Sequence, residues 1–194
     1  LAKLYSTSGV LHAMLPVINS DSKLKGMIDL QSLLRQSTNL QSTFTHKRVL
    51  IVGGAGFIGS VLTRQLLDDE WSVRILDNFL YSQDSLSDIS SNKLEILRGD
   101  AKDIDTVVSV IEDVDAVVYL AELVGDPAVS IAPQTALKTN YLSVTALAHL
   151  CSYLNINRFV YTSSCSVYGA SQNPDLLLNE KSAVRPVSLY GKMK

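Results

Sequence analysis

The chain has 194 residues, of which 46% are hydrophobic and 19% charged, with a formal net charge of -2. Those values describe a globular chain with room for one good core and part of a second. They argue against nucleic acid as a partner, since no basic stripe is present, and no apolar run is long enough to span a membrane.

In chain order, the first 46 residues form a unit of their own. The opening "LAKLYSTSGVLHAML" lacks the basic start and long apolar centre of a secretory signal, which points to the cytoplasm. "PVIN" reads as a strand, "SDSK" as a turn and "LKGMI" as a second strand. Leu30, Leu33 and Leu34 then mark an amphipathic helix. This strand–turn–strand–helix order over residues 1–36 resembles the closing half of a cystathionine-β-synthase-type (CBS) repeat, and the alternative reading is an unstructured or docking extension. In such repeats a Thr or Ser and an Asp commonly contact an adenine nucleotide. Asp29 and Ser32 stand there in reversed order, which weakens the case for adenylate binding. Residues 37–46 read as a polar linker without apolar periodicity.

From Lys47 onward the pattern alternates. "RVLIV" (48–52), "VRIL" (73–76), "LEIL" (94–97), "AVVYL" (116–120) and "RFVYT" (158–162) are short runs rich in Val and Ile, as strands covered on both faces require. Helical spacing occupies "FIGSVLTRQLLDD", "DIDTVVSVIED" and "ALKTNYLSVTALAHLCSYL". Strand–helix alternation predicts a parallel sheet with right-handed crossovers, hence a doubly wound nucleotide-binding architecture over residues 47–194.

The first strand–helix turn is "GGAGFIG". Gly53, Gly56 and Gly59 form a G-x-x-G-x-x-G between a buried strand and an amphipathic helix. In that context missing Cβ atoms let backbone amides approach a pyrophosphate, and the helix N-terminus, with Phe57 and Ile58, faces the anion. Asp77, followed by Asn78, ends the second strand about twenty residues on, where a carboxylate accepts hydrogen bonds from ribose hydroxyls. No Arg follows immediately, so NAD is favoured over NADP. Cys151 and Cys165 show neither metal nor disulfide spacing.

The segments "GGAGFIG", "LDN", "RGDAKD", "YLAELVGDP", "TNYLSVT", "YTSSCSVYG" and "YGKMK" occur in the order found in the extended short-chain dehydrogenases/reductases. Residues 47–194 thus resemble the NAD-dependent epimerase/dehydratase family, whose members act on nucleotide sugars. The resemblance implies a Rossmann-like NAD-binding domain and the following roles. Asp100 and Ala101 contact the adenine, while Asp103 is the better cap for the helix after them. Leu120 and Ala121 run along the cofactor. Glu122 stands where the family often has a small residue. Asn140 either supports the nicotinamide side by a hydrogen bond or faces solvent. Ser164, Tyr190 and Lys194 are the catalytic group. Tyr190 as phenolate takes a proton from a sugar hydroxyl while NAD takes a hydride. A free phenol titrates near 10, and Lys194 and the positive nicotinamide are expected to lower that value. Lys194 also binds the nicotinamide ribose.

In the family's dehydratases an Asp and a Glu follow the catalytic Thr. Cys165 and Ser166 stand there and do that acid–base work poorly, which favours an epimerase or simple dehydrogenase over a 4,6-dehydratase. The resemblance also implies a C-terminal domain for the nucleotide-sugar substrate after Lys194. The chain is therefore expected to be a fragment that binds NAD weakly and turns over nothing alone. A homodimer of the full-length protein, and a non-catalytic NAD sensor fused to a regulatory domain, are the remaining expectations.

Overall fold

Along "RVLIV" successive side chains point to opposite sides, and both sides are dry. Val49 and Ile51 pack into one apolar cluster, Leu50 and Val52 into another, each at most 3% exposed. A strand with two buried faces has no use for a polar alternate position, which is why the run reads as continuous. This strand is the centre of the fold.

A computed structural model describes residues 47–81, 84–156, 158–170 and 177–194, together with the backbones of four N-terminal strands. These are β1 (Tyr5–Thr7), β2 (Val10–His12), β3 (Met14–Ile18) and β4 (Leu24–Asp29). β1 pairs with β2 and β3 with β4, both antiparallel. β3 and β4 thus stand where the two strands were expected, with β1 and β2 ahead of them, and the turn expected between β3 and β4 lies outside the described residues. The helix expected at Leu30 to Leu34 and the linker at 37–46 lie outside the described residues.

The main body follows as β5 (Arg48–Val52), α1 (Phe57–Asp68), β6 (Ser72–Asp77), β7 (Leu94–Arg98), α2 (Ile104–Val110) and β8 (Ala116–Tyr119). Two short helices come next, α3 (Asp126–Ile131) and α4 (Pro133–Ala136), then a π-helical turn (Leu137–Leu142) running into α5 (Ser143–Tyr153). β9 (Phe159–Tyr161), a 3-10 turn (Cys165–Tyr168) and α6 (Leu189–Met193) complete it. The five strands form a wholly parallel sheet in the order β7-β6-β5-β8-β9. The alternating apolar runs and the doubly wound architecture are both found.

Leu62 and Leu66 of α1 cover one face with Trp71, Val73 and Ile75. Val107 and Val110 of α2 and Val144, Leu147 and Cys151 of α5 cover the other. Burying a side chain of this size contributes roughly 1.5–3 kcal/mol, so these two layers dominate the stability of the domain.

The chain moves outward from β5 to β6 and β7, then returns to lay β8 on the other side of β5. At such a reversal the loops after the two central strands diverge and leave a crevice beyond the strands' carboxyl ends. Val52 pairs in register with Leu76 on one side and Tyr119 on the other. The turns after β5, β6 and β8 therefore emerge at one level, and the glycine turn, Asp77, Leu120 and Ala121 lie in or beside them.

Candidate active site

The glycine turn closes directly onto β8. Gly53 has a φ of +85°, and a Cβ there would sit 2.5 Å from the Ala121 amide nitrogen. Its own N–H donates to the Leu76 carbonyl at 2.8 Å, tying the turn to β6. Gly59 is needed for contact: a Cβ would come within 2.6 Å of the Gly53 oxygen, because α1 packs on the turn. Gly56 is different. It precedes α1 with a φ of -74°, so positive φ in this triplet belongs to Gly53 alone. No side chain caps α1, and the first N–H groups of a helix have no partners within it. Phe57 is exposed beside them.

Replacing Gly53 by Ala strains both φ and packing at the point where three strands meet. Gly53→Ala is expected to cost at least about 1 kcal/mol of stability and to weaken NAD binding, read by denaturant unfolding and calorimetric titration.

The residues expected to meet the adenosine lie at the ends of β6 and β7. The Asp77 carboxylate accepts from the Ala55 N–H at 2.9 Å and from the Phe79 N–H at 2.7 Å. This orients it over the glycine turn and leaves further lone pairs on each oxygen for hydroxyl donors. The Asn78 side chain accepts from the Leu80 N–H at 3.0 Å. Asp100 accepts from the Lys102 N–H at 2.9 Å and pairs with its ammonium at 2.8 Å. Burial pushes the Asp100 carboxyl up, but Lys102 and the Asn78 side chain outweigh it and hold the group below its usual range. Asp103 caps α2, accepting from the Asp105 N–H at 3.2 Å. Ala101 packs at the edge of the core beside β7.

Sequence reasoning missed Arg98, which lies opposite Asp77 in register with its guanidinium 5.6 Å over the Phe79 ring. Asp77→Ala would leave that cation without its neighbouring carboxylate. The variant is expected to bind NAD more weakly and NADP better than the parent, narrowing the gap between them in a calorimetric titration with both cofactors.

Beyond β8, the Leu120 N–H donates to the Val52 carbonyl at 2.7 Å, and Ala121 lies against Gly53. Asn140 does not face solvent. It is 0% exposed, and its amide grips Leu123 at both ends, accepting from the N–H at 2.9 Å and donating to the C=O at 2.8 Å. The π-helical turn carries this residue, and a widened turn is a frequent device for aiming a side chain out of a helix. Among the two readings left by the sequence, hydrogen-bonded support is the one found.

The third group gathers at β8, β9 and α6. Ser164 follows β9 and accepts from the Ser166 N–H at 3.2 Å. Ser188 caps α6 by accepting from the Gly191 N–H at 3.0 Å. A Cβ at Gly191 would meet the Ser166 carbonyl at 2.6 Å, so the absent side chain lets α6 sit on the turn that carries Ser164. That contact, which the motif reading did not isolate, brings the Tyr190 phenol within hydrogen-bonding reach of the Ser164 hydroxyl. Tyr190 is 6% exposed, packed with Val129, Ala136 and Met193. Lys194 Nζ lies 5.6 Å from the Tyr190 ring centroid, as the one-turn spacing predicts, and 4.9 Å from that of Tyr161.

One expectation is corrected here. The Tyr190 phenol stands above its ordinary value, not below it. Burial pushes the phenol up to about 12, and the negative charge of Glu122 adds to the effect, against the hydrogen bond from Ser164. The Lys194 ammonium is itself engaged. It pairs with the Glu122 carboxylate and donates to the Thr162 carbonyl at 2.5 Å. The two charged side chains are 1% and 4% exposed.

The turns after β7, β6, β5, β8 and β9 thus present, in that order, a carboxylate pair, a glycine cradle open to a helix N-terminus, and a Ser–Tyr–Lys group. This array fits an extended dinucleotide. Among the described residues no cluster of His, Cys, Asp and Glu could hold a metal ion, and no helix is long and apolar enough to cross a membrane.

Comparison with known proteins agrees with that fit. The profile of the NAD dependent epimerase/dehydratase family matches residues 49–194. A 3 beta-hydroxysteroid dehydrogenase/Delta 5-->4-isomerase of Mycobacterium tuberculosis is 34% identical over 145 residues, covering 73% of this chain and 38% of that protein. A dTDP-glucose 4,6-dehydratase of Streptomyces niveus is 32% identical over 157 residues, covering 76% and 46%. Among solved structures, the UDP-Glc/GlcNAc 4-epimerase of Campylobacter jejuni superposes with a TM-score of 0.70 at 28% identity, covering 76% of this chain and 45% of that one. The UDP-glucose 4-epimerase of Brucella ovis in complex with NAD gives 0.66 at 26%, covering 75% and 44%. The chain spans less than half the length of each of these proteins. With a family profile over its whole Rossmann-like body and a site shaped for the dinucleotide, the chain belongs to the NAD-dependent epimerase/dehydratase family, and its cofactor is NAD.

Proposed function

We propose that residues 47–194 are the NAD-binding and catalytic portion of a nucleotide-sugar epimerase. The observation that carries this reading is the meeting of Ser164, Tyr190 and Lys194 at the same sheet end as the glycine turn.

In this reading the amides of Gly53 to Gly59 and the start of α1, with Phe57 and Ile58, hold the pyrophosphate. Asp77 and Asn78 take the adenosine ribose, and Asp100 and Ala101 the adenine. Leu120 and Ala121 line the path toward the nicotinamide, and Asn140 fixes the loop that follows them. NAD, when bound, supplies the acceptor and donor of a hydride at the sugar carbon. Tyr190 Oη takes the proton of the sugar hydroxyl and later returns it, and Ser164 Oγ holds the same oxygen. Lys194 binds the nicotinamide ribose and stabilises the phenolate through its positive charge.

An epimerase is favoured over a 4,6-dehydratase because Cys165 and Ser166 offer no acid and base for removing water. The Ser166 hydroxyl oxygen accepts from the Ser164 hydroxyl at 3.2 Å. The second reading, a non-catalytic NAD-binding module joined to a CBS-like segment at 1–36, is favoured by the engagement of Lys194 with Glu122. Turnover decides between them. A protein joining residues 47–194 to a substrate domain of the relatives' kind is expected to interconvert sugar epimers with no net reduction of NAD. UDP-glucose and UDP-N-acetylglucosamine are the first substrates to try. NAD binding without turnover of any nucleotide sugar would favour the module. Residues 1–194 alone are expected to bind NAD and turn over nothing.

The same proposal places the protein in the cytoplasm and pairs it as a homodimer. Leu137, Tyr141, Leu142 and Tyr153 are exposed along the helical stretch 137–153 and offer an apolar contact. Sedimentation of the joined protein tests the pairing.

A further inference from the structure

We propose that Glu122 is a positioning residue for the catalytic group: its carboxylate, carried on the loop after β8, keeps the Lys194 side chain charged and fixed beside Tyr190. The inference rests on the roles given above to Tyr190 and Lys194, and extends them to a residue that has no part in those roles.

The geometry is specific. Glu122 is 72 residues from Lys194 in the chain, yet their side chains pair at the junction of β8, β9 and α6. The carboxylate is delivered by backbone held on both sides. Leu120 is bonded to β5 ahead of it, and Leu123 is gripped by Asn140 behind it. The Thr162 carbonyl takes a second proton of the ammonium at 2.5 Å. The ring of Tyr161 lies 4.9 Å below the cation, and its hydroxyl is in hydrogen-bonding reach of Glu122. An ammonium in such a place is otherwise costly to keep charged. Burial pulls Lys194 down, and Glu122 is the acidic group that opposes this. Burial in turn pushes Glu122 up, and Lys194 with Tyr161 opposes that.

Facing Tyr190 are Glu122, Cys165 from the 3-10 turn and Asp126 from α3, each disfavouring the phenolate, while the Ser164 hydroxyl favours it. Facing Tyr161 are Glu122, Tyr190 and Tyr119. Lys194 is the cation at this end of the site. If its proton left, the Ser164 hydroxyl alone among these groups would favour a phenolate. Glu122 therefore acts through Lys194: it offsets part of the lysine's charge, and in return the lysine stays protonated and in reach.

The test is an NMR titration of the lysine side chains, with the Lys194 signal assigned from its absence in Lys194→Met. In Glu122→Gln, Lys194 is expected to lose its proton at least about one pH unit lower than in the parent, a tenfold change in its ionisation constant. Glu122→Asp, which keeps the charge, should restore most of the difference. NAD binding supplies the second measurement and does not depend on turnover. Glu122→Gln should weaken NAD binding in the parent and have no further effect in a Lys194→Met background. If Glu122→Gln does not fold, the Glu122→Gln/Lys194→Met pair, which leaves no buried charge, still gives the second comparison against Lys194→Met alone. An unchanged Lys194 titration in Glu122→Gln, or an equal loss of NAD affinity in both backgrounds, would overturn the proposal. Absence of sugar turnover with the lysine shift intact would instead count against the epimerase reading.

Discussion

Tyr190→Phe is expected to reduce turnover of a nucleotide sugar by about 10²–10⁴-fold, the range that a positioned acid–base group contributes, while NAD binding stays close to the parent's. The loss should appear in kcat and kcat/KM alike, because the proton is moved only as the carbon reacts. Phe keeps the ring that packs on Val129, Ala136 and Met193, so the fold should not change. Only the hydroxyl beside Ser164 is lost. The pH profile carries a second expectation. Burial first, and then the charge of Glu122, push the phenol up to about 12. The base form is therefore scarce at neutral pH, and activity should rise with pH on the alkaline side. Near-parental rates in Tyr190→Phe would show that another group moves the proton.

Glu122→Ala is expected to destabilise the domain by about 3–5 kcal/mol, because it leaves the buried Lys194 ammonium without its counter-ion. Chemical denaturation reads this directly as a lower midpoint. The double variant Glu122→Ala/Lys194→Met should recover much of the loss, since neither charge then remains in the interior. This pattern distinguishes an ion pair from a packing effect. If the carboxylate only filled space, the double variant would be at least as unstable as the single one. Loss of under about 1 kcal/mol in Glu122→Ala would place the pair among solvent-screened contacts, against its burial.

How legible these features were depended on how local their causes are. The central strands β5 and β8 could be read because they are buried on both faces, and a strand without a polar face announces itself as an uninterrupted apolar run; β7 is largely exposed and was read from a short apolar run between charged residues. The glycine turn was legible for a similar reason: close approach of Gly53 to Ala121 and of Gly59 to Gly53 removes every option but glycine. The spacing of Tyr190 and Lys194 needed only one helical turn. The long helix read over 136–154 was less secure. Its first part is a π-helical turn that turns Asn140 inward, and no local propensity signals that choice. The short helices α3 and α4 went unread because each is too brief to show a period.

The sequence by itself determined the parallel sheet, through strand–helix alternation, and the dinucleotide turn, through its glycine spacing; the Ser–Tyr–Lys group was named through resemblance to the family. Only the tertiary structure decided what that group is surrounded by. The departure at Glu122 was visible, but its partner was not. The pair joins a loop after β8 to the end of α6 across β9, and two charges so far apart in the chain meet only when the sheet order places their strands side by side. Burial then turns that meeting into the dominant electrostatic fact of the site, because a low-dielectric surrounding strengthens the pair and penalises either charge alone.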